Sequence, residues 1–334
     1  MQPNHIHTSR RESRSGKGEV GLEHHAAWPA ALLDHRLLSY ALPCRHVHRN
    51  ILSLLVFLGV CASFWPPLLE LVAIALGNEH FSHVVAIPIL TFYLLFLNRR
   101  AILTSQAWSP TLGILVMASG AACYWHADGQ DWTHDRLAAA ILAFVVMCWG
   151  QFLFSFGVEC FRKDLFPLMM LLFMVPLPPV LLDTIIVFLQ RSSADTVDVL
   201  FSILGIRALR DGFTFELTNF IIFIEEECSG IRSFFALIIT SLLAGNWLLR
   251  SWWARAALVA VVVPLAIIKN AFRIVGLSLL ANAIDPAFLM DSALHRYGGI
   301  PLFALSFTML VCIAWLLYKL ERRFKSASHD AFRA

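Results

Sequence analysis

Cys228 stands in the run Glu225-Glu226-Glu227-Cys228-Ser229-Gly230-Ile231-Arg232-Ser233, where a polar segment passes directly into a long apolar one. A thiol at that junction lies at the start of an expected helix, where exposed N–H groups and the positive end of the dipole favour the thiolate. A thiolate is a nucleophile, whereas a thiol inside an apolar helix is a small hydrophobe. The chain has seven cysteines, and Cys44, Cys61, Cys123, Cys148, Cys160 and Cys312 fit the second description. The count is odd and no pair has CxxC spacing, so neither a disulfide framework nor a zinc site is expected.

Further polar residues join Cys228 on the same expected face. Arg232 follows it by four residues, one helical turn. Arg273 lies in Lys269-Asn270-Ala271-Phe272-Arg273, inside a long apolar run that begins near Arg255. Eighteen residues of helix rise about 27 Å, which carries Arg273 across the membrane core to its outer edge. An arginine within a membrane span points to function, and Asn270 adds a polar group about one turn earlier. The alternative for such an arginine is snorkelling into the headgroups. His295, in Leu294-His295-Arg296-Tyr297-Gly298-Gly299, precedes the last apolar run. Together these groups suit nucleophilic catalysis. His295 can take the thiol proton and later protonate a leaving amine. Arg273 can stabilise charge on a tetrahedral intermediate. Arg232 favours the thiolate, and the three glutamates before Cys228 oppose it.

The elements that must position these residues are membrane helices. Of 334 residues, 58% are hydrophobic and only 15% charged, against roughly a quarter charged in soluble domains. The formal net charge of +3 is too small to suggest a nucleic-acid partner. Apolar runs at about 51–76, 81–97, 110–125, 137–156, 165–189, 229–249, 254–280 and 300–318 predict about eight spans. Pro66-Pro67 bends the first, and Pro176, Pro178 and Pro179 break the fifth. Basic clusters at Arg45/Arg49, Arg99/Arg100, Arg162/Lys163, Arg250/Arg255 and Lys319/Arg322/Arg323/Lys325 all fall on one side of that arrangement. By the positive-inside rule that side is cytoplasmic, as are both termini. Phe213–Leu217 and Phe220–Ile224 alternate as strands around Thr218-Asn219, so a small β-hairpin is expected on the outer face, leading into Cys228. Ser192–Ile206 reads as a helix near the surface. The fold class is an all-α polytopic membrane protein with that hairpin. Residues 1–49 hold seven Lys/Arg and seven His and read as a disordered cytoplasmic tail, and 321–334 as a basic cytoplasmic tail.

The run Glu227-Cys228-Ser229-Gly230-Ile231-Arg232, then Asn270-Ala271-Phe272-Arg273, then His295 with Gly298 and Gly299, resembles the exosortase/archaeosortase family. So do Phe81-Ser82-His83, opening a span that ends at Asn98-Arg99-Arg100, and Val175-Pro176-Leu177-Pro178. The resemblance covers 50–320, all but the tails. It implies a multipass membrane cysteine transpeptidase with Cys228 as nucleophile and Arg273 and His295 as its partners. It further implies exported protein substrates that carry a C-terminal short motif, a transmembrane helix and a basic tail, of which the PEP-CTERM signal is the best-known type. Residues 50–320 are then the enzyme domain, in a cell inner membrane with its site facing the periplasm and in contact with lipid. No cofactor is expected.

Two other classes stay open on the residues alone. A glutamate or metal intramembrane protease is one, but HExxH is absent and Glu226-Glu227 precede Arg232 by one residue too many for the Glu-Glu-x-x-x-Arg pattern. His126, Asp128, Asp131, His134 and Asp135 could hold a metal but fit no standard spacing, and Glu79, His80 and His83 could be ligands but suit an interfacial cap better. A transporter or lipid-binding scaffold is the other, for which the broken fifth span and an intramembrane Arg273 are suitable.

Overall fold

The computed structural model describes residues 44–77, 81–105, 107–128, 133–217, 220–224, 229–283 and 299–331. Cys228, His295, Glu225–Glu227, Thr218-Asn219, Glu79, His80 and the expected N-terminal tail up to residue 43 lie outside them.

All eight apolar runs are helical. Helices α1 (Cys44–Ser63) and α2 (Trp65–Gly77) take up the first run, α3 (Ala86–Leu97) the second and α5 (Pro110–Asp128) the third, with the short α4 (Arg99–Leu103) between those two. Helix α6 (Thr133–Lys163) takes up the fourth run. The fifth is divided between α7 (Leu165–Met170), continued by a 3-10 turn, and α8 (Pro179–Ile203). Helices α9 (Ile231–Leu248), α10 (Trp252–Ala283) and α11 (Gly299–Ala331) form the rest. Among the described residues, four helices are long and apolar enough to cross a membrane singly: α6, α9, α10 and α11. The α1–α2 pair, bent by 67°, and the α7–α8 pair, bent by 91°, bring the candidate spans to at most six. The expected eight crossings are thus matched by four to six candidate spans among the described residues. The proline reading holds for the second break, where Val175–Pro178 leave the helix and Pro179 starts the next one.

Three differences from expectation have physical causes. Ser192–Ile206 is not a separate surface helix, because α8 runs without interruption from Pro179 to Ile203. The hairpin is a three-stranded antiparallel sheet, β1 (Ala208–Asp211), β2 (Thr214–Leu217) and β3 (Ile221–Phe223), in sequential order. Arg210 on β1 donates to Asp195 of α8 at 2.7 Å, which holds the extra strand against the helix. The last helix continues past the apolar run that ends near 318 and into the stretch read as the basic tail. There Lys319 lies 3.6 Å over the Trp315 ring and Arg322 5.6 Å over Tyr318, i,i+4 pairs that favour helix.

The helices pack around two apolar cores. One gathers α1, α2, α3, α6 and α7, with Leu71, Ile87, Ile141 and Val145 buried in it. Gly113 of α5 lies so close to α6 that a Cβ there would fall 2.5 Å from the Phe154 backbone, a small-residue contact of the kind that joins membrane helices. The other core gathers α8, α9, α10 and α11 around Leu237, Leu258 and Leu310. The sheet is held by a third cluster, in which Phe215 and Ile222 face Val197 and Phe201 of α8 and Ala271 and Val275 of α10. Many large apolar side chains, including Leu76, Ile89, Leu115 and Leu305, remain on the outer faces of the helices. A bilayer is the solvent such faces require.

The far end of α10 is closed by a carboxylate. Glu321 of α11, 8% exposed, accepts from the backbone N–H of Arg250 at 3.1 Å and of Ser251 at 2.8 Å, and from the Ser251 hydroxyl. A negative group on the free N–H groups of a helix start is charge-assisted capping. Glu321→Ala is expected to lower stability by about 1–2 kcal/mol, read as a lower thermal unfolding midpoint in detergent, with Glu321→Gln falling between.

Candidate active site

Helix α9 begins where the chain turns through Gly230, at φ 77° and ψ 15°. A left-handed conformation costs other residues about 1–2 kcal/mol. Space adds a second reason for glycine. A Cβ on Gly230 would lie 3.2 Å from Oδ1 of Asn270 on α10. Asn270 is 1% exposed, and its Nδ2 donates to Oγ of Ser193 on α8 at 3.1 Å. One side chain thus joins the start of α9 to α8 and α10. The Cys-Ser-Gly and Asn-x-x-Arg stretches, 40 residues apart in sequence, meet at the Gly230–Asn270 contact.

A second tie runs through Lys269, 7% exposed. Its Nζ donates to Oγ of Ser233, and that hydroxyl donates to the Gly230 carbonyl at 2.8 Å. The chain before Cys228 is held as well. Ile224 donates its N–H to the Phe213 carbonyl at 3.0 Å, extending the sheet, and its own carbonyl accepts from Nε2 of Gln190 on α8. Ile224 and Gly230, the nearest described positions whose contacts are given on either side of Cys228 in sequence, are thus both fixed. A third approach comes from the loop before α3, where the His83 ring stacks on Phe235 of α9 at 4.7 Å and 19°. That contact brings Phe81-Ser82-His83 to the second turn of the same helix.

The named candidates are distributed as follows. Asn270 is at the centre of the joint. Arg273, half-buried, is one turn further along α10. It is 21 residues from Trp252, a rise of about 32 Å, so it lies far from the end of α10 that Glu321 caps. Arg232 is exposed in the first turn of α9. That helix starts at Ile231, so the four-residue spacing from Cys228 to Arg232 does not act as one helical turn. Cys228 is two residues before the N-cap in sequence, and His295 follows α10 by twelve; both lie outside the described residues, as do the side chains of Asp128, His134 and Asp135. Among the described residues, no three His, Cys, Asp or Glu side chains converge. Of the remaining cysteines, Cys148 and Cys160 are buried and Cys61 is half-buried, while Cys123 and Cys312 are exposed on helix surfaces.

Gln190, Ser193, Ser229, Ser233 and Lys269 belong to this site and were not singled out from the sequence. A lysine in an otherwise apolar run is the strongest available signal among them. Gln190 and Ser193 stand at the polar end of an apolar run and resemble an ordinary interfacial boundary until α8 is seen to continue past them.

The transmembrane exosortase family model matches residues 73–312 of this chain. The chain belongs to that family, and with it comes a membrane transpeptidase role. The match spans the Cys228, Asn270-to-Arg273 and His295 stretches. No curated protein and no solved structure matches the chain.

Gly230→Ala tests the joint. The added methyl must adopt a left-handed backbone and press on Asn270, so the expected cost is about 1–2 kcal/mol or more. The measurement is the thermal midpoint, together with the rate at which Cys228 reacts with a small maleimide in a background lacking the other cysteines.

Proposed function

We propose that this exosortase family member is a thiol transpeptidase of the cell inner membrane. It cleaves C-terminal sorting signals of the PEP-CTERM kind from exported proteins, at the outer face. The observation that supports this most is the Gly230–Asn270 contact, which joins the cysteine stretch to the arginine stretch. The sheet, the start of α9 and the Arg273 end of α10 gather together, far along α10 from the Glu321 cap. With the basic clusters inside, both termini are cytoplasmic and this end faces the periplasm.

In this reading Cys228 is the nucleophile. His295 takes its proton, and the Cys228 sulfur attacks the scissile carbonyl near the outer leaflet. Arg273 stabilises the oxyanion through directed hydrogen bonds, and His295 returns the proton to the departing amine, leaving a thioester. A second nucleophile then resolves the thioester. Arg232, exposed beside the helix start, and Asn270, within the joint, support the geometry.

The experiment is processing of a tagged protein that ends in a Pro-Glu-Pro motif, an apolar helix and a basic tail. Cys228→Ser is expected to abolish cleavage while the protein still inserts, and unchanged cleavage would remove the thiol mechanism. A transporter would keep its activity in that variant. Arg273→Lys retains charge but loses the planar fork, so its turnover is expected to fall about a hundredfold, or on the order of 3 kcal/mol. Turnover near the wild-type level would make Arg273 an anchor at the interface. Labelling of Cys228 by an impermeant thiol reagent is expected from the periplasmic side of spheroplasts, and labelling only from the cytoplasmic side would reverse the orientation.

A further inference from the structure

Helix α11 has two faces that end in opposite charge. Ser306, Leu310 and Ala314 are buried, the last two in the core shared with α9 and α10. That face ends at Glu321, turned inward onto the N–H groups of Arg250 and Ser251. On the other side, Leu305, Met309, Cys312, Leu316, Lys319 and Arg323 follow one another at four- and three-residue steps, and all are exposed. Of the four helices able to cross a membrane singly, α11 is the least buried. Its apolar part, Ile300 to Tyr318, rises about 27 Å, close to the roughly 30 Å of a hydrocarbon core. Lys319, Arg322 and Arg323 therefore emerge together at headgroup depth. Lys319 lies 3.6 Å over the Trp315 ring and Arg322 5.6 Å over Tyr318, aromatic residues of the kind that mark this boundary. Among the described residues no carboxylate pairs with any of the three cations. The Glu321 bonds fix the depth and rotation of the turn that carries them.

We propose that this outer face of α11 is a binding surface for an anionic phospholipid. The acyl chains lie along the stripe from Leu305 to Leu316, and Lys319, Arg322 and Arg323 hold the phosphate. Charge decides among the occupants such a face could take. A second copy of the chain, related by a two-fold axis along the membrane normal, would meet the face at equal depth and set its own cations against these. The helix of the proposed substrates ends in a basic tail on the same side and is repelled likewise. A zwitterionic lipid fills the apolar stripe but brings a cationic group with its phosphate. An anionic lipid supplies both the apolar length and the missing negative charge. Each Lys or Arg near a bilayer surface strengthens association with anionic lipid about fivefold. The surface shares no residue with the thiol site, and its occupancy does not depend on the reaction there.

Cys312 supplies a local probe, since it lies on the exposed stripe about two turns before Lys319. The full-length protein, with every cysteine but Cys312 replaced, carries a fluorophore there and is placed in phosphatidylcholine liposomes. Quenching by nitroxide-labelled lipids gives the association of phosphatidylglycerol beside α11 relative to phosphatidylcholine. With the three cations in place, phosphatidylglycerol is expected to be favoured about fivefold or more. Lys319→Gln, Arg322→Gln and Arg323→Gln together are expected to bring the ratio to within about twofold of unity. Arg162→Gln with Lys163→Gln, which removes two exposed cations at the end of α6, is expected to leave it unchanged. An absent preference, or one that survives the triple change, overturns the proposal. An equal loss in the α6 variant does so too, since the preference would then belong to net charge. Extensive Cys312-to-Cys312 disulfide formation also overturns it, since a second copy would then cover the face. Replacing the buried Cys148 and Cys160 can disturb the fold, so the protein with all its cysteines is examined by native mass spectrometry from detergent. Phosphatidylglycerol adducts are expected to outlast phosphatidylcholine adducts there, and not in the triple variant. Equal retention of both lipids by the unaltered protein overturns the proposal.

Discussion

A polar side chain inside an apolar bundle must find a partner within the protein, and this requirement governs the structure around Asn270. An amide withdrawn from water without a hydrogen bond costs about 1–3 kcal/mol on mutational scales. The amide nitrogen of Asn270, a residue 1% exposed, meets that demand at Ser193 on α8, while Gly230 closes against its Oδ1 side. Neither contact is available unless α8, α9 and α10 come together at one depth. A β-branched or larger residue at 230 would separate α9 from α10 there. Lys269 and Ser233 repeat the arrangement one residue away, with an ammonium that also has to be held. The three helices are thereby tied by directed bonds, where apolar contacts between membrane helices alone would specify position weakly.

The sheet follows from the same tie. Its inner face, Phe215 and Ile222, rests on Ala271 and Val275, the residues that follow Asn270 on α10, and on α8 beyond Ser193. Gln190, one turn before Ser193, takes the Ile224 carbonyl where the last strand ends. A strand in a membrane protein must bury or pair its backbone groups. Here the sheet is placed where two helices and a glutamine can meet that need. The break at Val175–Pro178 then has a purpose. The 91° bend aims α8 so that its polar half, Gln190 to Asp195, faces α10 and the sheet.

Much of this was legible in the sequence because it depends on local chemistry. Apolar length gave all eight helical runs, and three prolines marked the break before α8. Alternation gave two strands of the sheet. Less was legible where distant residues decide the outcome. The first strand, Ala208–Asp211, has weak alternation and owes its place to the Arg210–Asp195 pair. The count of crossings depends on how sharply α1–α2 and α7–α8 bend, which composition does not encode. The apolar run begins at 229, with Cys228 expected at the helix N-terminus, but the positive φ of Gly230 delays α9 to Ile231. Asn270 was identifiable as an intramembrane polar residue. Its partners Ser193 and Gly230 were not, because pairing across 77 and 40 residues leaves no local trace.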